Sequence, residues 1–589
     1  MSEMKSVPEL VNLTIDGRRI AVPKGTTIME AAESIGIRIP RLCYHPDLSL
    51  MGSCRVCIVD VKDMGQYMAS CASAVWENME VETNSPQIRQ ARRDIVELLI
   101  ENHPMDCQTC ERDGWCELQN LALQMGVRER LFRGQRKRIP IEADGRSVIR
   151  VSEKCVLCGR CVRVCAEIQG VYNLGRQGRG FNTIVTPAHQ AKMDDSVCIQ
   201  CGQCINVCPT AAFIEKPHTD RVWRALSDPD LHVVVQTAPS IRSALGEGFG
   251  LPPGTPVTGK MVSALRALGF HKVFNTDFGA DLTIMEEVRE FAHRMEHGPL
   301  PMFTSCSPGW VNFLEKFYPG LIPHMSSARS PMSMVSVLSK TYYAQQAGID
   351  PKKIFMVAVM PCVAKKFEAG RPEHQAPFGM PWTDAVLTTR EFVWMIKSYG
   401  IDFARLPEGE FDEPLGDSTG GGDIFGYTGG VMEASLRTYA EILTGKTDQR
   451  IDYPEVRGVH EVREADVKIG DKTVHVGVAN GLANAKQLLE KITRGEPFHV
   501  IEIMACPGGC SGGGGQPYPP YGKKVLDHET LDRRGKALHD IDEGKRYRRP
   551  HDNPAIKKLY DTYLGQPGGP KAHELLHTTY GAQRPRGIK

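Results

Sequence analysis

Cysteine is the residue of this chain best suited to chemistry. Nineteen cysteines occur among 589 residues, and most are spaced two or three residues apart. In a reducing compartment, such spacing is more typical of metal binding than of disulfides. Structural zinc sites are one alternative, but they favour two Cys-x2-Cys pairs. Iron–sulfur clusters take four ligands each, and the spacing within each group favours clusters.

The first group has the pattern C-x10-C-x2-C-x13-C and consists of Cys43, Cys54, Cys57 and Cys71. Two irons need four thiolates, and a Cys-x2-Cys loop can place two of them on one iron. The group resembles the 2Fe–2S domain of hydrogenases and of the large iron–sulfur subunit of complex I. That resemblance implies one 2Fe–2S cluster.

The second group has the pattern H-x3-C-x2-C-x5-C and consists of His103, Cys107, Cys110 and Cys116. Its three thiolates lack a fourth ligand, and His103 lies one helical turn before Cys107. A lone histidine is most often a surface residue. The group nevertheless resembles the His-ligated 4Fe–4S site of the same two families, which implies that His103 is a ligand.

Eight more cysteines form two C-x2-C-x2-C-x3-C runs, namely Cys155, Cys158, Cys161, Cys165, Cys198, Cys201, Cys204 and Cys208. This is the pattern of two-cluster bacterial ferredoxins, in which the fourth cysteine of each run binds the other cluster. We therefore expect Cys208 to complete the cluster of the first run and Cys165 to complete that of the second. Together with the His103 group, the chain should hold three 4Fe–4S clusters before residue 220.

The last four cysteines, Cys306, Cys362, Cys506 and Cys510, lie after apolar, strand-like runs. Loops at the carboxyl ends of strands are where α/β folds build their sites. Residues 512–515 are all glycine, which suggests a backbone that approaches something bulky, with a flexible loop as the alternative.

Three of these segments resemble the signature loops of iron-only (FeFe) hydrogenases: FTSCSPGW (303–310), MPCVAKKFE (360–368) and EIMACPGGCSGGGGQP (502–517). The resemblance covers nearly the whole chain, including residues 275–287 and the tail motif HELLHT (573–578). It implies an H-cluster, which is a 4Fe–4S cube joined by one thiolate to a two-iron centre with carbonyl, cyanide and bridging dithiolate ligands.

The resemblance also assigns residues to that cofactor. It implies that Cys362, Cys506 and Cys510 bind the cube, with Cys510 as the bridge to the two-iron centre. Lys365 would hold a cyanide by a charge-assisted hydrogen bond. The residues implied as lining of the cofactor pocket are Pro239, Ser240, Met360 and Met504.

A proton relay is implied as well. Cys306 would be the acid–base group beside the open iron, and Glu287, Ser326 and Glu290 would carry protons outward to Arg294 at the mouth. The spacing of Glu287, Glu290 and Arg294 puts all three on one helix face. On spacing alone, a solvated charged face would be the simpler interpretation.

Three positions depart from the family pattern: Ser307, Met332 and Asp423. The family usually has a second cysteine, a cube ligand, where this chain has Ser307. Either Cys306 remains the acid and Ser307 or nothing completes the cube, or Cys306 shifts to the metal. We favour Cys306 as the acid because the relay is retained. All three positions are expected to lie near the cofactor pocket.

The elements around these motifs indicate the fold class. Residues 11–22 alternate around Asp16-Gly17 as a β-hairpin, and Thr27 with Glu30 forms a capping box. A helix is predicted over about 87–101, and residues after about 221 show an α/β pattern. We expect a multidomain α+β and α/β protein: a β-grasp 2Fe–2S domain (1–84), a His/Cys 4Fe–4S domain (85–142), a two-cluster ferredoxin domain (143–220) and a large α/β H-cluster domain (221–589) with its tail as a strap.

Composition narrows the function. Lys and Arg number 71 and Asp and Glu 70, so no net field favours nucleic acid, and the basic run 128–138 is interpreted as solvated surface. No run reaches about 18 apolar residues and the N-terminus has no signal core, so we expect a cytoplasmic protein with no membrane span.

The leading hypothesis is a hydrogenase that interconverts H2 with protons and electrons. An electron-transfer or H2-sensing subunit with an altered H-cluster is the second hypothesis, favoured by Ser307. A complex I-like iron–sulfur subunit is the third, and it leaves the loops after residue 300 unexplained. No dinucleotide fingerprint is present, so NAD(P) should not bind this chain directly. The resemblance of the front end to complex I implies docking to a flavoprotein that oxidises NAD(P)H and to a small 2Fe–2S subunit, with a soluble ferredoxin as the alternative or additional donor.

Overall fold

The computed structural model describes residues 9–132, 134–445, 450–459, 462–520 and 523–583. Three segments named in the sequence predictions lie outside these ranges: residues 1–8 at the start of the chain, Arg133 in the basic run, and residues 584–589 of the tail. Within them, no helix is both long and apolar enough to cross a bilayer.

The N-terminal domain is a five-stranded sheet with one helix, and its first two strands form the hairpin that the alternating pattern predicts. Asp16 and Gly17 both adopt positive φ in the tight hairpin turn, and the Thr27–Glu30 capping box forms. The strand order is β2-β1-β5-β3-β4. The elements are β1 (Leu10–Ile15), β2 (Arg18–Pro23), α1 (Ile28–Ser34), β3 (Ile58–Val61), β4 (Met68–Ala69) and β5 (Met79–Glu82).

Short helices and hairpin strands connect this domain to the rest of the chain. Helix α2 (Pro86–Glu101) starts at a Ser85 N-cap and packs against α3 (Glu117–Gln124). The ferredoxin-like part follows, with β6 (Val148–Arg150), α4 (Arg160–Arg163), β7 (Gly175–Gln177), β8 (Ile184–Thr186), α5 (Gln203–Asn206) and β9 (Phe213–Glu215). Strand β6 pairs with β9, so the two ends of this part meet.

The large domain begins with a parallel sheet of order β11-β10-β13-β14. Strand β13 has almost no exposed residue, as expected of a parallel strand covered by helices on both faces. Its elements are α6 (Thr219–Leu226), β10 (His232–Thr237), α7 (Thr258–Ala267), β11 (Lys272–Asn275), α8 (Thr276–His297), β13 (Ile354–Met360), α12 (Ala364–Ala369), β14 (Ala385–Thr388) and α13 (Thr389–Ser398), with β12 (Met302–Phe303), α9 (Pro308–Phe317), α10 (Pro331–Leu338) and α11 (Ala344–Ala347) inserted before β13.

A second sheet has the order β12-β17-β16-β15, in which only the β15–β16 pair is antiparallel. The elements that complete the domain are α14 (Gly420–Asp423), α15 (Gly430–Thr444), β15 (Val462–Ile469), β16 (Lys472–Asn480), α16 (Leu482–Thr493), β17 (Val500–Met504), α17 (His528–Gly544), α18 (Pro554–Leu559) and α19 (Pro570–Leu576). The tail is a strap as expected: Leu559, Tyr560 and Leu564 are buried in one core with Phe278 of α8. The multidomain fold class predicted from the sequence is confirmed.

Candidate functional site

The four N-terminal cysteines come together under the first sheet. The amide of Cys43 lies 3.4 Å from Sγ of Cys54. Hydrogen bonds from Cys54 and Cys71 lower the pKa of Cys43, and contacts with Cys43 and Cys57 raise the pKa of Cys71. Such mutual contacts require the thiols to converge, although Cys43 and Cys71 are 28 residues apart in sequence.

His103 follows the end of α2 and presents one free ring nitrogen. Its Nδ1 lies 2.7 Å from the carbonyl of Pro104, whereas its Nε2 is buried without a hydrogen-bond partner among the described residues. Burial lowers the pKa of His103, which favours the neutral form that binds metal. Ligation by His103 stays a prediction. A surface histidine, however, would not bury a ring nitrogen without a hydrogen-bond partner, as His103 does within the described ranges.

The two ferredoxin runs fold as a repeat. Leu157 and Gly159 have positive φ before α4, and Gln200 and Gly202 have positive φ at the matching places before α5. A glycine is needed at 202 for a second reason, since a Cβ there would lie 2.7 Å from the side chain of Val363. The backbone therefore wraps the same way around the thiols of each run.

The neighbours of the fourth cysteines follow the crossed pattern. Burial raises the pKa of Cys155 to about 11 and that of Cys158 to about 12, and in both cases the thiol of Cys208 adds to the rise. Burial likewise raises the pKa of Cys198 to about 12, with Cys165 as a charged neighbour. Each run thus faces the last cysteine of the other.

A cavity of about 70 Å³ lies where the carboxyl ends of the two large sheets meet. The loops after β10, β12, β13 and β17 contribute to its wall, as the strand-end rule predicts. The predicted site residues that line it are Pro239, Met360, Met504, Cys306, Ser307, Cys362, Lys365, Cys506 and Cys510. Segments separated by about 270 residues thereby form one site.

Ser240 is the predicted pocket residue that does not line the cavity. It is fully buried behind Pro239, and its hydroxyl lies 3.4 Å from the side-chain amide of Gln516. The same amide donates to the carbonyl of Cys510 at 3.2 Å. Ser240 therefore supports the Cys510 loop through Gln516, a residue that sequence reasoning missed.

The glycine run 512–515 has a different cause from the one expected. A Cβ on Gly513 would lie 2.3 Å from the carbonyl oxygen of Pro361, and one on Gly514 would lie 2.5 Å from that of Cys201. The run is thus pressed between other backbone segments rather than against a bulky group alone. Gly508 and Gly509 have φ of +67° and +73°, which favours glycine.

The ferredoxin part docks directly on this loop. Side-chain amides of Gln203 and Asn206 donate to the carbonyls of Gly512 and Gly513 at 2.9 and 3.1 Å, and Gln169 donates to that of Ala505 at 2.9 Å. Cys201 itself lines the cavity. The second ferredoxin run therefore shares a wall with the site, a juxtaposition that no local spacing reveals.

Cys306 and Ser307 face different neighbours. The hydroxyl of Ser307 accepts a hydrogen bond from the amide of Ala505 at 3.2 Å, next to Cys506. Burial raises the pKa of Cys306 well above its ordinary value, and the charged groups that act on it most strongly are Glu287 and then Lys365. Cys306 thus borders the acidic helix, whereas Ser307 borders the Cys506 loop.

Lys365 is a buried cation at the cavity wall. Its Nζ lies 3.2 Å from the carbonyl of Cys306 and 2.7 Å from Glu368. Glu368, one helical turn later in MPCVAKKFE, was missed as a partner, although the i,i+3 spacing could have indicated it. Glu368 also accepts from the hydroxyl of Ser330, which fixes the ion pair in place.

Helix α8 carries three members of the predicted proton relay, namely Glu287, Glu290 and Arg294. The hydroxyl of Ser326 donates to Glu290 at 3.0 Å, and Arg294 donates to the other oxygen of Glu290 at 2.5 Å and 3.0 Å. Burial raises the pKa of Glu287 to about 8, and its Oε2 is buried without a hydrogen-bond partner among the described residues. A carboxyl group that is protonated at neutral pH can donate a proton toward the cavity.

Met332 and Asp423, two of the positions that depart from the family pattern, lie at different distances from the cavity. Met332 is buried and lines the cavity as expected. Asp423 does not line it: its carboxylate turns to Arg242 at 2.6 Å, and Arg242 also contacts Asp277 at 2.8 Å. A buried carboxylate needs a cation, so Asp423 is held away from the cavity wall.

The residues present suit the cofactors that the motifs imply. The cavity offers the thiols of Cys362, Cys506 and Cys510 for a cube and a further thiol at Cys306. Ser307 provides a hydroxyl and Lys365 an ammonium group. Its apolar wall would exclude water. Among the described residues, no three His, Cys, Asp or Glu side chains are close enough to share a single metal ion. The ligand sets themselves stay predictions.

Five family models match consecutive parts of the chain. They are described as a 2Fe-2S iron-sulfur cluster binding domain (9–86), an NADH-ubiquinone oxidoreductase-G iron-sulfur binding region (92–130), a 4Fe-4S dicluster domain (154–212), the C-terminal domain of the iron only hydrogenase large subunit (231–514) and an iron hydrogenase small subunit (528–583).

Similar proteins match over nearly their full length. The NADP-reducing hydrogenase subunit HndD of Solidesulfovibrio fructosivorans is 47% identical over 97% of this chain and 99% of that protein. Iron hydrogenase 1 of Clostridium pasteurianum is 40% identical over 96% and 99%. A solved structure of [FeFe]-hydrogenase HydA1 from Chlamydomonas reinhardtii superposes with a TM-score of 0.55 at 43% identity, covering 62% of this chain and 99% of that one.

Proposed function

The chain belongs to the iron-only hydrogenase family, and we propose that its reversible conversion of protons and electrons into H2 takes place in the cysteine-lined cavity. The observation that carries this proposal is the convergence of three cysteine loops and Lys365 on one enclosed space. One side of that space borders the acidic helix α8, and another borders Cys201 of the ferredoxin part. Protons and electrons can therefore arrive from different directions.

Cys362, Cys506 and Cys510 would hold the cube of an H-cluster, with Cys510 as the thiolate shared with the two-iron centre. When bound, that cofactor supplies the open iron at which protons are reduced. Lys365, buried and pinned by Glu368, would donate a charge-assisted hydrogen bond to a cyanide ligand. Apolar side chains complete the wall, namely Pro239, Met360, Met332 and Met504.

Ser307 is the residue we propose as the fourth group beside the cube. Its hydroxyl is fixed by the amide of Ala505, adjacent to Cys506. A serine oxygen is a poorer ligand than thiolate for a soft iron–sulfur centre. The cube of this chain should therefore be held less firmly than one with four cysteines.

Cys306 is the residue we propose as the proton donor and acceptor at the cavity. Glu287 reprotonates it, Ser326 and Glu290 pass protons outward beside α8, and Arg294 holds Glu290 at the outer end. The surroundings of Cys306 support this role, because the amide and the hydroxyl of the preceding residue, Ser305, each donate to Oε1 of Glu287 at 3.3 Å. A relay of this kind works when each group is within hydrogen-bond reach of the next.

For the electrons, we propose one 2Fe–2S and three 4Fe–4S clusters in the order of the motifs. The crossed pairing of Cys165 and Cys208 and the orphaned Nε2 of His103 support the ligand sets. We propose four domains with these clusters, with the bounds 1–84, 85–142, 143–220 and 221–589. Electrons would leave the second ferredoxin run at Cys201 and enter the cavity.

The electron donor we propose is a flavoprotein that oxidises NAD(P)H, with a small 2Fe–2S subunit, acting with or in place of a soluble ferredoxin. The name of the HndD relative, an NADP-reducing hydrogenase subunit, supports a multisubunit enzyme. The cysteine spacing, which is typical of metal binding rather than of disulfides, suits a reducing cytoplasm. Reduction of the purified protein by NADPH or NADH, with and without co-purified subunits, tests this assignment.

Infrared spectroscopy of the matured protein tests the proposed site. Carbonyl and cyanide bands are expected, and their absence from a protein with a full iron content would contradict the proposal. In the variant Ser307→Cys, the cube gains a fourth thiolate, so cofactor occupancy and H2 production per protein should both rise. Ser511→Cys, on the same loop as Cys510 but outside the cavity lining, is the matched control and should raise neither.

A further inference from the structure

The C-terminal strap brings a histidine onto the proton relay. The amide of Arg329 donates to the carbonyl of Leu576 at 2.7 Å, and that of Thr578 donates to the carbonyl of Ser327 at 2.8 Å. These two backbone hydrogen bonds fix His577, the last histidine of HELLHT, beside Ser327. His577 is only 8% exposed. The mechanism described so far gives this motif no role.

Both ring nitrogens of His577 are in hydrogen-bond contact. Nδ1 lies 2.8 Å from the hydroxyl of Ser327, and Nε2 lies 2.9 Å from Oε2 of Glu286. The hydroxyl of Ser327 also lies 3.1 Å from Oε2 of Glu290, which accepts from the Ser327 amide at 3.0 Å. An unbroken chain therefore runs from Glu286 through His577 and Ser327 to Glu290.

The Ser327 hydroxyl has one proton and two possible acceptors. When His577 carries a proton on Nδ1, the ring donates to Ser327, and Ser327 can donate only to Glu290. When Nδ1 is bare, the hydroxyl can turn to His577 and leave Glu290 with one donor fewer. The presence or absence of a proton on Nδ1 therefore sets the direction of the hydroxyl that Glu290 meets.

Charged groups face this chain from three elements. On α8, Glu286 holds His577 and Arg294 holds the other oxygen of Glu290. Tyr560 of the strap donates to Glu286, as does the amide of Gly568 at 2.9 Å. From α19, the exposed ring of His573 stacks on His577 at 4.6 Å.

We propose that His577 is a positioning residue that also holds a proton for the relay, and that it shares this proton with Glu290 through Ser327. The Nδ1 proton moves to the oxygen of Ser327 while the hydroxyl proton of Ser327 moves to Glu290, so one proton is transferred and none is lost. The reverse movement refills His577 when Glu290 is recharged at the Arg294 end. Histidine suits this task because its two ring nitrogens can each hold or release a proton.

The inference rests on the proposed role of Glu290, and the variant His577→Gln tests it. Glutamine can still accept from Ser327 and donate to Glu286, but it cannot hold the proton. We expect H2 production at pH 7 to fall about fivefold, less than the ~10²-fold loss typical of a group that transfers the proton directly. At pH 5, where protons are abundant, the ratio of wild type to variant should approach one.

The matched control is His573→Gln, which removes the stacked, exposed imidazole but no member of the chain, and its pH profile should follow wild type. Infrared bands and thermal melts establish that each variant is folded and loaded. A His577→Gln profile that overlays wild type at every pH would overturn the proposal, because a purely structural histidine would be rescued by glutamine.

Ser327→Ala provides a second test if His577→Gln does not fold. It keeps the His577–Glu286 contact and removes the hydroxyl, so it should show the same loss near pH 7, and an unchanged profile would again overturn the proposal. Glu290→Gln separates the two levels. Full activity of Glu290→Gln would refute the proposed relay itself, whereas an inactive Glu290→Gln beside a normal His577→Gln would refute only the role of His577.

Discussion

Two regions of the molecule arrange their cysteines in opposite ways. In the cluster arm (residues 9–215), most ligands of a cluster lie within one short stretch, and positive-φ residues such as Gly159 and Gly202 fold that stretch around its thiols. In the cavity domain (residues 219–583), the thiols come from loops far apart in sequence, at the ends of β12, β13 and β17. The ligand arrangement of the cluster arm is therefore determined mainly by local sequence, whereas the cavity forms only after the two sheets have packed together.

This difference predicts which part of the molecule a single substitution should affect. A ligand lost from the arm should remove one cluster and leave the cavity formed. A group lost from the cavity wall should change the chemistry without disturbing the arm.

The largest effect is expected for Cys165→Ala. Because Cys165 faces the thiols of the second run, the cluster of Cys198, Cys201 and Cys204 should be lost. Cys201 lines the cavity, so H2 production with a protein electron donor should be abolished. Iron content and electron paramagnetic resonance measure the loss. If the cluster of Cys155 and Cys158 disappears instead, the fourth ligands do not cross.

Glu287→Gln is expected to lower H2 production about 10²-fold, because a buried proton carrier is removed from the relay. It should also change the pH dependence of stability. Burial raises the pKa of Glu287 to about 8 from an ordinary value of 4.5. Between these values the native state holds a proton that the unfolded chain does not, so the contribution of Glu287 to stability is lost as pH rises.

The melting temperature of Glu287→Gln relative to wild type should therefore increase between pH 5 and pH 8. Circular dichroism at the two pH values measures this difference. Glu490→Gln, whose side chain is 66% exposed on α16, is the control and should show no such trend. A constant difference across this range would mean that Glu287 is ionised in the native protein.

The smallest effect is expected for His103→Cys. A thiolate adds negative charge to the cluster, so its reduction potential should fall, on the order of 100 mV by analogy with the histidine-for-cysteine exchange in Rieske centres. The cluster should remain, because the other three ligands are unchanged. Redox titration followed by electron paramagnetic resonance measures the shift. An unchanged potential would show that Nε2 of His103 does not bind the cluster.

The same contrast explains how far the sequence could be interpreted. Ligand spacing, the Asp16-Gly17 hairpin, the Thr27–Glu30 capping box and the strands before the last cysteines are local features, so the sequence predicts them. The turn of Asp423 toward Arg242 and the approach of Gly514 to Cys201 depend on partners brought close by packing. His577 is a further example, since its contact with Ser327 spans 250 residues.

The family resemblance predicted some of the contacts that local sequence features could not. The proton relay on α8 was expected from family register, because i,i+3 and i,i+4 spacing alone describes any solvated helix face. The branch through Ser327 and His577 has no signal of this kind, as serine and histidine occur on many surfaces. Only the hydrogen-bond geometry indicates that the strap and the relay act together.

The division of roles between Cys306 and Ser307 is the central claim, and one infrared spectrum of Cys306→Ala tests it. If Cys306 is the proton donor, this variant should keep its carbonyl and cyanide bands and lose H2 production by about 10²-fold or more. The bands persist because Ser307 and the three thiols still hold the cofactor. Disappearance of the bands would contradict the account, since it would mean that Cys306 is itself the ligand that anchors the cube.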